Sequence, residues 1–293
     1  MQNNPGTYAP FGILSARYKS SSATVTLPDG RPLDVSIFYH ATNDLNLAHF
    51  DSVLQDGLQY YSRNFGPYPF PRLTLMETPV YGPFSVAMQG EIGLIENIGG
   101  WNADLRGNSK ADYPYYNAAV VLAGQWWGQQ LAPNNAKSSP VITKGLAVYS
   151  ALQLLRQYHG KDAVTPFLED LQRTYGWGHR TDFDGEHDLL HANKPHLWEA
   201  KAPLLLYNLA EHIGADSVNA ALRDFLQQWK FRSDSPYAGV ADLYKCLQKH
   251  TPGYAKDYLK NAWETSTPLS ELKPPVSSLN LTKKQALCRD RGP

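Results

Sequence analysis

Cysteine and net charge are both scarce in this sequence. Only Cys246 and Cys288 occur among 293 residues, too few for a disulfide framework, so the cysteine count does not indicate a compartment. The 27 basic and 27 acidic residues cancel, and no surplus positive charge is left to attract nucleic acid or an anionic membrane surface. We therefore expect no nucleic-acid partner.

Long hydrophobic runs are also missing. The most apolar stretches, residues 118–123 and 202–209, are far shorter than the roughly 20 residues of a membrane-spanning helix. The opening residues MQNNPGTYAPFG lack the basic region and the apolar run of a signal peptide. The sequence predicts no direct membrane insertion by this chain. Any signal or anchor would lie outside it, and the pattern assigns no localisation.

The first third of the chain has the patterns of strands. Residues 18–39 alternate polar and apolar side chains around Pro28-Asp29-Gly30, which predicts a β-hairpin. Asn43 is the predicted N-cap of a helix whose apolar positions recur at helical spacing up to Tyr61. Three short β-like runs follow and predict a small mixed sheet, at residues 73–76, 84–88 and 92–95.

Beyond Gly100 the apolar spacing becomes helical. It predicts six helices, at residues 113–131, 143–159, 163–175, 197–213, 215–231 and 240–249. The first of them is apolar nearly all round between residues 118 and 123, so we expect it to be buried. With 42% hydrophobic residues the chain can bury a substantial core. The sequence thus predicts an α+β fold with three parts: a mostly β subdomain (1–105), a helical subdomain (106–264) and an extended or partly disordered tail (265–293).

Four motifs occur in an order that is hard to obtain by chance: FGPYPFPRLTLMETP, GLIEN at Gly93 to Asn97, QWWG at Gln125 to Gly128, and KGLAVY at Lys144 to Tyr149. From about Ser15 to Leu272 the chain resembles the aminopeptidase N family of gluzincin zinc aminopeptidases. Its likeness is greatest to the bacterial branch in which such a domain is fused to an ABC-type permease. The resemblance implies a thermolysin-like catalytic fold and a membrane permease as a partner.

The resemblance also identifies the positions of the family's zinc site, and this sequence departs from the family there. Aligned on QWWG, the two histidine ligands fall on Val120 and Gly124, and the glutamate that acts as general base falls on Val121. The third ligand falls on Lys144, or on Thr143 if the family's usual spacing is counted strictly. None of these residues is a histidine or a carboxylate, the ligands of such zinc sites. The resemblance therefore implies a pseudopeptidase without zinc, and no cofactor is expected.

Three charged positions of the resembling site need separate interpretation. The family's oxyanion-stabilising tyrosine falls on Glu199, whose carboxylate would repel a developing negative charge. Glu96 and Asn97 occupy the GLIEN positions that in the family include the contact to a substrate's N-terminal ammonium, so the resemblance implies a peptide or amine-bearing ligand. Lys144 either replaces the zinc charge by pairing with Glu96 or Glu199, or extends to solvent.

Two alternatives to a non-catalytic binding domain are compatible with the same residues. An enzyme could reuse the cleft without metal, with Glu96, Glu199 and Lys144 as its candidate catalytic groups. A relocated metal site could use His187 and His191, which are four residues apart and would share a face if the segment were helical. That site would need a third ligand such as Glu186 or His196. The other interpretation is that His187 and His191 are polar loop residues that bind no metal.

Overall fold

The computed structural model describes residues 15–79, 85–96, 100–105 and 111–272. Its first part is a five-stranded mixed sheet with the order β1-β2-β3-β5-β4. The strands are β1 Tyr18–Thr26, β2 Pro32–His40, β3 Arg72–Thr78, β4 Val86–Met88 and β5 Glu91–Ile95. The predicted hairpin is confirmed, as is the small mixed sheet.

The direction of each strand follows from its connection. β1 and β2 form the antiparallel hairpin, whereas β2 and β3 are parallel because helix α1, Leu47–Asn64, lies between them in the chain. β3 and β5 are also parallel. β4 pairs with β5 in antiparallel register and forms one edge of the sheet.

Helix α1 begins later than predicted. Its N-cap is Asn46, not Asn43. The side chain of Asn46 donates hydrogen bonds to the carbonyls of Gly100 and Ala103, each at 3.0 Å. Asn43 instead donates to the carboxylate of Glu77 on β3. Both asparagines therefore tie the helix start to other segments, which a local capping rule does not foresee.

Beyond the sheet, the described residues form seven further α-helices: α2 Tyr113–Trp127, α3 Leu146–His159, α4 Lys161–Thr181, α5 Ala202–Ile213, α6 Ala215–Trp229, α7 Val240–His250 and α8 Lys256–Glu264. The six predicted helices are present with shifted ends, and α8 was not predicted as a separate helix. Five-residue π-helical turns, Val141–Gly145 and Leu197–Lys201, lead into α3 and α5. No helix within the described ranges is both long and apolar enough to cross a membrane.

Helix α2 packs against α1, α3 and the β4–β5 edge of the sheet, and its aromatic residues lie in the core. Trp126 and Trp127 are fully buried, and their indole nitrogens donate to the carbonyl of Gly66 at 2.8 Å and to Ser150 Oγ at 2.9 Å. The expectation of a buried helix is wrong for two positions, because Val120 and Val121 are only half-buried. Of the predicted tail, residues 273–293 lie outside the described ranges.

Candidate functional site

A cavity of about 660 Å³ opens between the β4 edge of the sheet and helices α2 and α3. We call it the cleft. Its wall is mainly apolar, with a few polar groups on the helical side. The lining residues are Ser85, Ala87, Leu94, Ile95, Tyr116, Asn117, Val120, Val121, Gly124, Thr143, Lys144, Ala147, Val148 and Glu199.

The side chain of Gln125 holds the sheet edge against α2. Its Oε1 accepts a hydrogen bond from the backbone N–H of Gly90 at 2.9 Å. Its Nε2 donates to the carbonyls of Met88 and Glu91, at 2.7 and 3.1 Å. Gln125 is fully buried, and its three bonds satisfy the backbone of the tight β4–β5 turn. This residue of the QWWG motif therefore positions one wall of the cleft.

The opposite wall contains an ion pair between the two π-helical turns. Lys144 Nζ lies 2.8 Å from Glu199 Oε1. Both side chains are partly open to solvent, at 47% and 39% exposure. Gly145 allows the two turns to approach, because a Cβ there would lie 3.0 Å from the carbonyl oxygen of Trp198. Of the two partners that the sequence suggested for Lys144, the structure pairs it with Glu199.

Val120, Val121 and Gly124 lie on the α2 side of the cleft. Residues 120 and 124 are one helical turn apart and share a face, the spacing of the family's two histidines. The space at Gly124 is small, because a Cβ there would come within 2.9 Å of Ala87 Cβ on β4. The absence of a side chain at position 124 thus allows close packing of the edge strand on α2.

Zinc, which the resembling family implies, does not fit these side chains. Valine and glycine side chains have no lone pair, and a lysine ammonium repels a divalent cation rather than binding it. Across the described part of the chain, no group of three or more histidine, cysteine or acidic side chains is arranged to hold a metal ion. The described residues therefore contain no metal-binding group at this site or elsewhere.

Glu96 follows β5 directly but is not among the described residues that line the cleft, although its neighbours Leu94 and Ile95 are. Its backbone N–H donates to the Thr78 carbonyl at 2.8 Å, and its carboxylate accepts a bond from Asn43 Nδ2 at 3.2 Å. Asn97, the other predicted ligand-binding residue, lies outside the described residues. The structure therefore brings Lys144 and Glu199 together in the cleft wall and gives Glu96 a different hydrogen-bond partner.

Tyr18 connects this acidic region to the first strand. Its hydroxyl donates to the backbone carbonyl of Glu77 at 2.8 Å. Burial raises the pKa of Tyr18, and the nearby charges of Glu77 and Glu96 raise it further. The tyrosine is therefore a neutral hydrogen-bond donor at physiological pH, beside two carboxylates.

His187 and His191 do not lie on one α-helix, which the predicted metal site would require. His191 ends a short 3₁₀ turn, Leu189–His191, and its Nδ1 contacts Asp188 at 2.9 Å. His187 is exposed. The suggested third ligands belong to other contacts, since Glu186 pairs with Lys201 and His196 is buried.

One charged group was missed by the sequence analysis. Lys201 is fully buried, and its ammonium contacts the carboxylate of Glu186, which is only 4% exposed. Glu186 also accepts bonds from Tyr175 Oη at 2.9 Å and interacts with His179 Nδ1 at 2.6 Å. Burial is the main cause that raises the pKa of Tyr175, and the hydrogen bond and negative charge of Glu186 raise it further. The cluster anchors the end of the turn that contains Glu199. Its one sequence signal was a lysine directly before the apolar stretch 202–209.

The sequence matches no protein-family model and no curated protein. Among solved structures it is similar to a mutant M1 zinc metallopeptidase from Deinococcus radiodurans, with 17% identity and a TM-score of 0.63 over 89% of this chain and 54% of that one. A second structure of that mutant, bound to a Tyr-Ser-Ala substrate, gives 16% identity and a TM-score of 0.63 over 88% and 54%. A two-domain M1 zinc metallopeptidase mutant bound to L-arginine gives 18% identity and 0.61 over 88% and 54%.

These likenesses decide the fold. This chain has an M1 peptidase-like α+β fold. The identities are too low to transfer an activity, because one fold supports many functions. The chain spans about half the length of the solved structures that it matches.

Proposed function

We propose that this chain is a pseudopeptidase domain, which uses the cleft of an M1-type peptidase to bind a peptide or amine-bearing ligand without zinc chemistry. The observation that supports it is the Lys144–Glu199 ion pair in the cleft wall. By the resemblance, these positions correspond to the third zinc ligand and the oxyanion-stabilising tyrosine. A cation and an anion that neutralise each other stand where a metal ligand and a hydrogen-bond donor would be needed.

The open cleft supports binding rather than complete loss of function. A filled site would leave no room for a ligand, whereas about 660 Å³ lies within the usual range for small-molecule pockets. The half-buried Val120 and Val121 give this cavity apolar contact surface. Glu96 does not itself line the cleft, but it directly follows the lining residues Leu94 and Ile95, and its carboxylate at this strand end is suited to an ammonium group of a ligand that extends past the cleft wall. The likeness to the permease-fused branch supports a membrane permease as the partner.

The metal-free enzyme alternative is less well supported. General acid–base catalysis needs carboxylates that can exchange protons with one substrate. Glu199 is instead paired with Lys144, and Glu96 accepts from Asn43. We therefore propose recognition without turnover as the function.

Binding is tested by isothermal titration calorimetry with the tripeptide Tyr-Ser-Ala and its N-acetylated form, which lacks the ammonium charge. We expect the free amine to bind more tightly, and Glu96→Gln to weaken binding by roughly tenfold or more, as for a lost charged hydrogen bond. Glu91→Gln, at the start of the preceding strand β5, is the matched control and should have little effect, because the Glu91 carboxylate lies at the other end of that strand, 3.8 Å from Arg72. Equal binding of both peptides, or equal effects of both variants, would contradict the proposed role of Glu96.

A further inference from the structure

A second cavity, of about 590 Å³, opens where the ends of α1, α3 and α5 meet the start of α6. It shares no lining residue with the cleft. Its wall includes Arg63 from α1, Gln153 and Arg156 from α3, Glu211 from α5 and Asp216 from α6. Neither the resemblance nor the proposed function gives this cavity a role.

Gln153 is an unusual component of this wall. The residue is only 2% exposed, and its Nε2 has no hydrogen-bond partner within the part of the chain that the structure describes. A buried amide donor without an acceptor loses its hydrogen bonds to water and gains none in return, which costs free energy. Such groups are rare in folded proteins. A ligand oxygen in the cavity would accept this bond.

The charges around the cavity favour an anion. Two cations neutralise the negative charge of Glu211. Arg156 pairs with its carboxylate, and Lys161 Nζ lies 2.9 Å from its Oε2. Arg63 is exposed and donates one bond, from Nη2 to Gln59 Oε1 at 2.8 Å. A guanidinium has five N–H donors, and its planar geometry suits oxyanions. Lys161 is not a lining residue, but its contact with Glu211 brings the local balance to three cations against two carboxylates, those of Glu211 and Asp216.

The start of α6 adds backbone donors on the same side. The 15-residue helix begins at Ala215 after Gly214, and no side chain caps it. Gly214 has a φ of 89°, a conformation that glycine adopts without strain. Gly214, Ala215 and Asp216 all line the cavity. The first N–H groups of a helix lack intrahelical acceptors, and the helix dipole favours negative charge there.

We propose that this cavity binds a small polar molecule through an oxyanion, a carboxylate or a phosphate group. The oxyanion lies between the Arg63 guanidinium, the Gln153 amide and the first turn of α6. Arg63 supplies the charge, Gln153 supplies a directional hydrogen bond, and the uncapped start of α6 supplies backbone donors. The site is independent of the cleft, so its ligand and the cleft ligand can be bound at the same time.

The test is a nuclear magnetic resonance titration of the side-chain amide of Gln153, assigned as the signal that Gln153→Glu removes. Inorganic phosphate and succinate are the probes, in separate titrations. We expect a saturable shift of this signal with at least one probe, and the tighter probe identifies the class of oxyanion. Arg63→Gln should weaken that affinity by roughly tenfold, the scale of one charged hydrogen bond.

The control variant is Arg173→Gln, which removes the same charge from an arginine that is 73% exposed on α4. It should leave the affinity unchanged, because Arg173 does not line this cavity. Gln153→Glu, if folded, should abolish binding by placing an acid on the floor. The proposal is overturned if neither probe gives a saturable shift, or if Arg63→Gln and Arg173→Gln lower the affinity equally.

Discussion

Lys144 Nζ lies 2.8 Å from Glu199 Oε1, an ion pair that joins two π-helical turns 55 residues apart in the chain. Because both side chains are partly exposed, solvent screens their attraction. We expect Lys144→Met to change the free energy of unfolding by less than about 1 kcal/mol, the usual limit for such pairs. Urea unfolding followed by circular dichroism measures this change. A loss of several kcal/mol would show that the pair supports the fold rather than occupying an open cleft.

The buried pair of Lys201 and Glu186 should behave differently under the same substitution. Lys201→Met leaves the carboxylate of Glu186 buried at 4% exposure without its cation. Breaking one side of such a pair typically costs about 3 to 5 kcal/mol. We expect a loss of that size in urea unfolding, with Lys144→Met as the matched control. If the two variants lose equal stability, the ion pair of Lys201 does not anchor the turn.

Reconstruction of the zinc site should be limited by the packing of β4. Val120→His, Val121→Glu, Gly124→His and Lys144→Glu together would restore three ligands and a base, but a side chain at position 124 meets Ala87 Cβ at 2.9 Å. We expect added Ala87→Gly to raise zinc affinity by roughly tenfold, the scale of effects from poorly oriented ligands. Calorimetric zinc titrations of the four- and five-substitution variants measure this difference.

Neither reconstructed variant should hydrolyse peptides. By the resemblance, Glu199 falls at the oxyanion-stabilising position, where loss of one donor costs on the order of 100-fold to 1,000-fold in rate. Equal zinc affinities of the four- and five-substitution variants would show that β4 moves away from position 124 at no cost in free energy. Full activity would show that Glu199 does not occupy the tyrosine's position.

The pH dependence of stability should include a contribution from His196. Burial lowers the pKa of His196 from its ordinary value of 6.5, more than the charges of Glu186 and Asp182 raise it. As the pH falls, the unfolded chain therefore protonates His196 at a higher pH than the folded chain does. Stability is full above about pH 6.5 and declines below it. In urea unfolding between pH 5 and 8, His196→Gln should flatten this decline. A variant with the wild-type slope would refute this assignment.

His212 provides a second, independent test of the same effect. Burial also lowers the pKa of His212, so it adds a decline of the same sign. His212→Gln should remove its own share of the slope and leave the contribution of His196. The double variant should have the flattest profile of the three.

The fold was predictable because periodicity determines it locally. Buried Leu33, Val35 and Ile37 alternate along β2 with more exposed residues, and this pattern is directly visible in the sequence. The starts of helices were less predictable, since Asn43 and Asn46 are equally good caps by residue type. The structure uses the side chain of Asn43 for Glu77, a contact that only the assembled sheet creates.

The site was predictable only in part, and from motif order rather than from spacing. The alignment suggested Glu199 as one of two partners of Lys144, and the structure provides this pair. It did not foresee that Val120 and Val121 border a cavity, because an apolar residue suits either a core or a cleft wall. The cluster around Lys201 was also missed, since Glu186 lies in a polar loop and its partner in an apolar helix start.

The most direct test of the central claim is the hydrolysis of aminoacyl fluorogenic substrates by the purified chain in zinc-supplemented buffer. The pseudopeptidase account predicts no turnover above the buffer rate for any substrate in the panel. Turnover that is abolished by a chelator and restored by zinc would contradict it, because no ligand set for zinc occurs among the described residues.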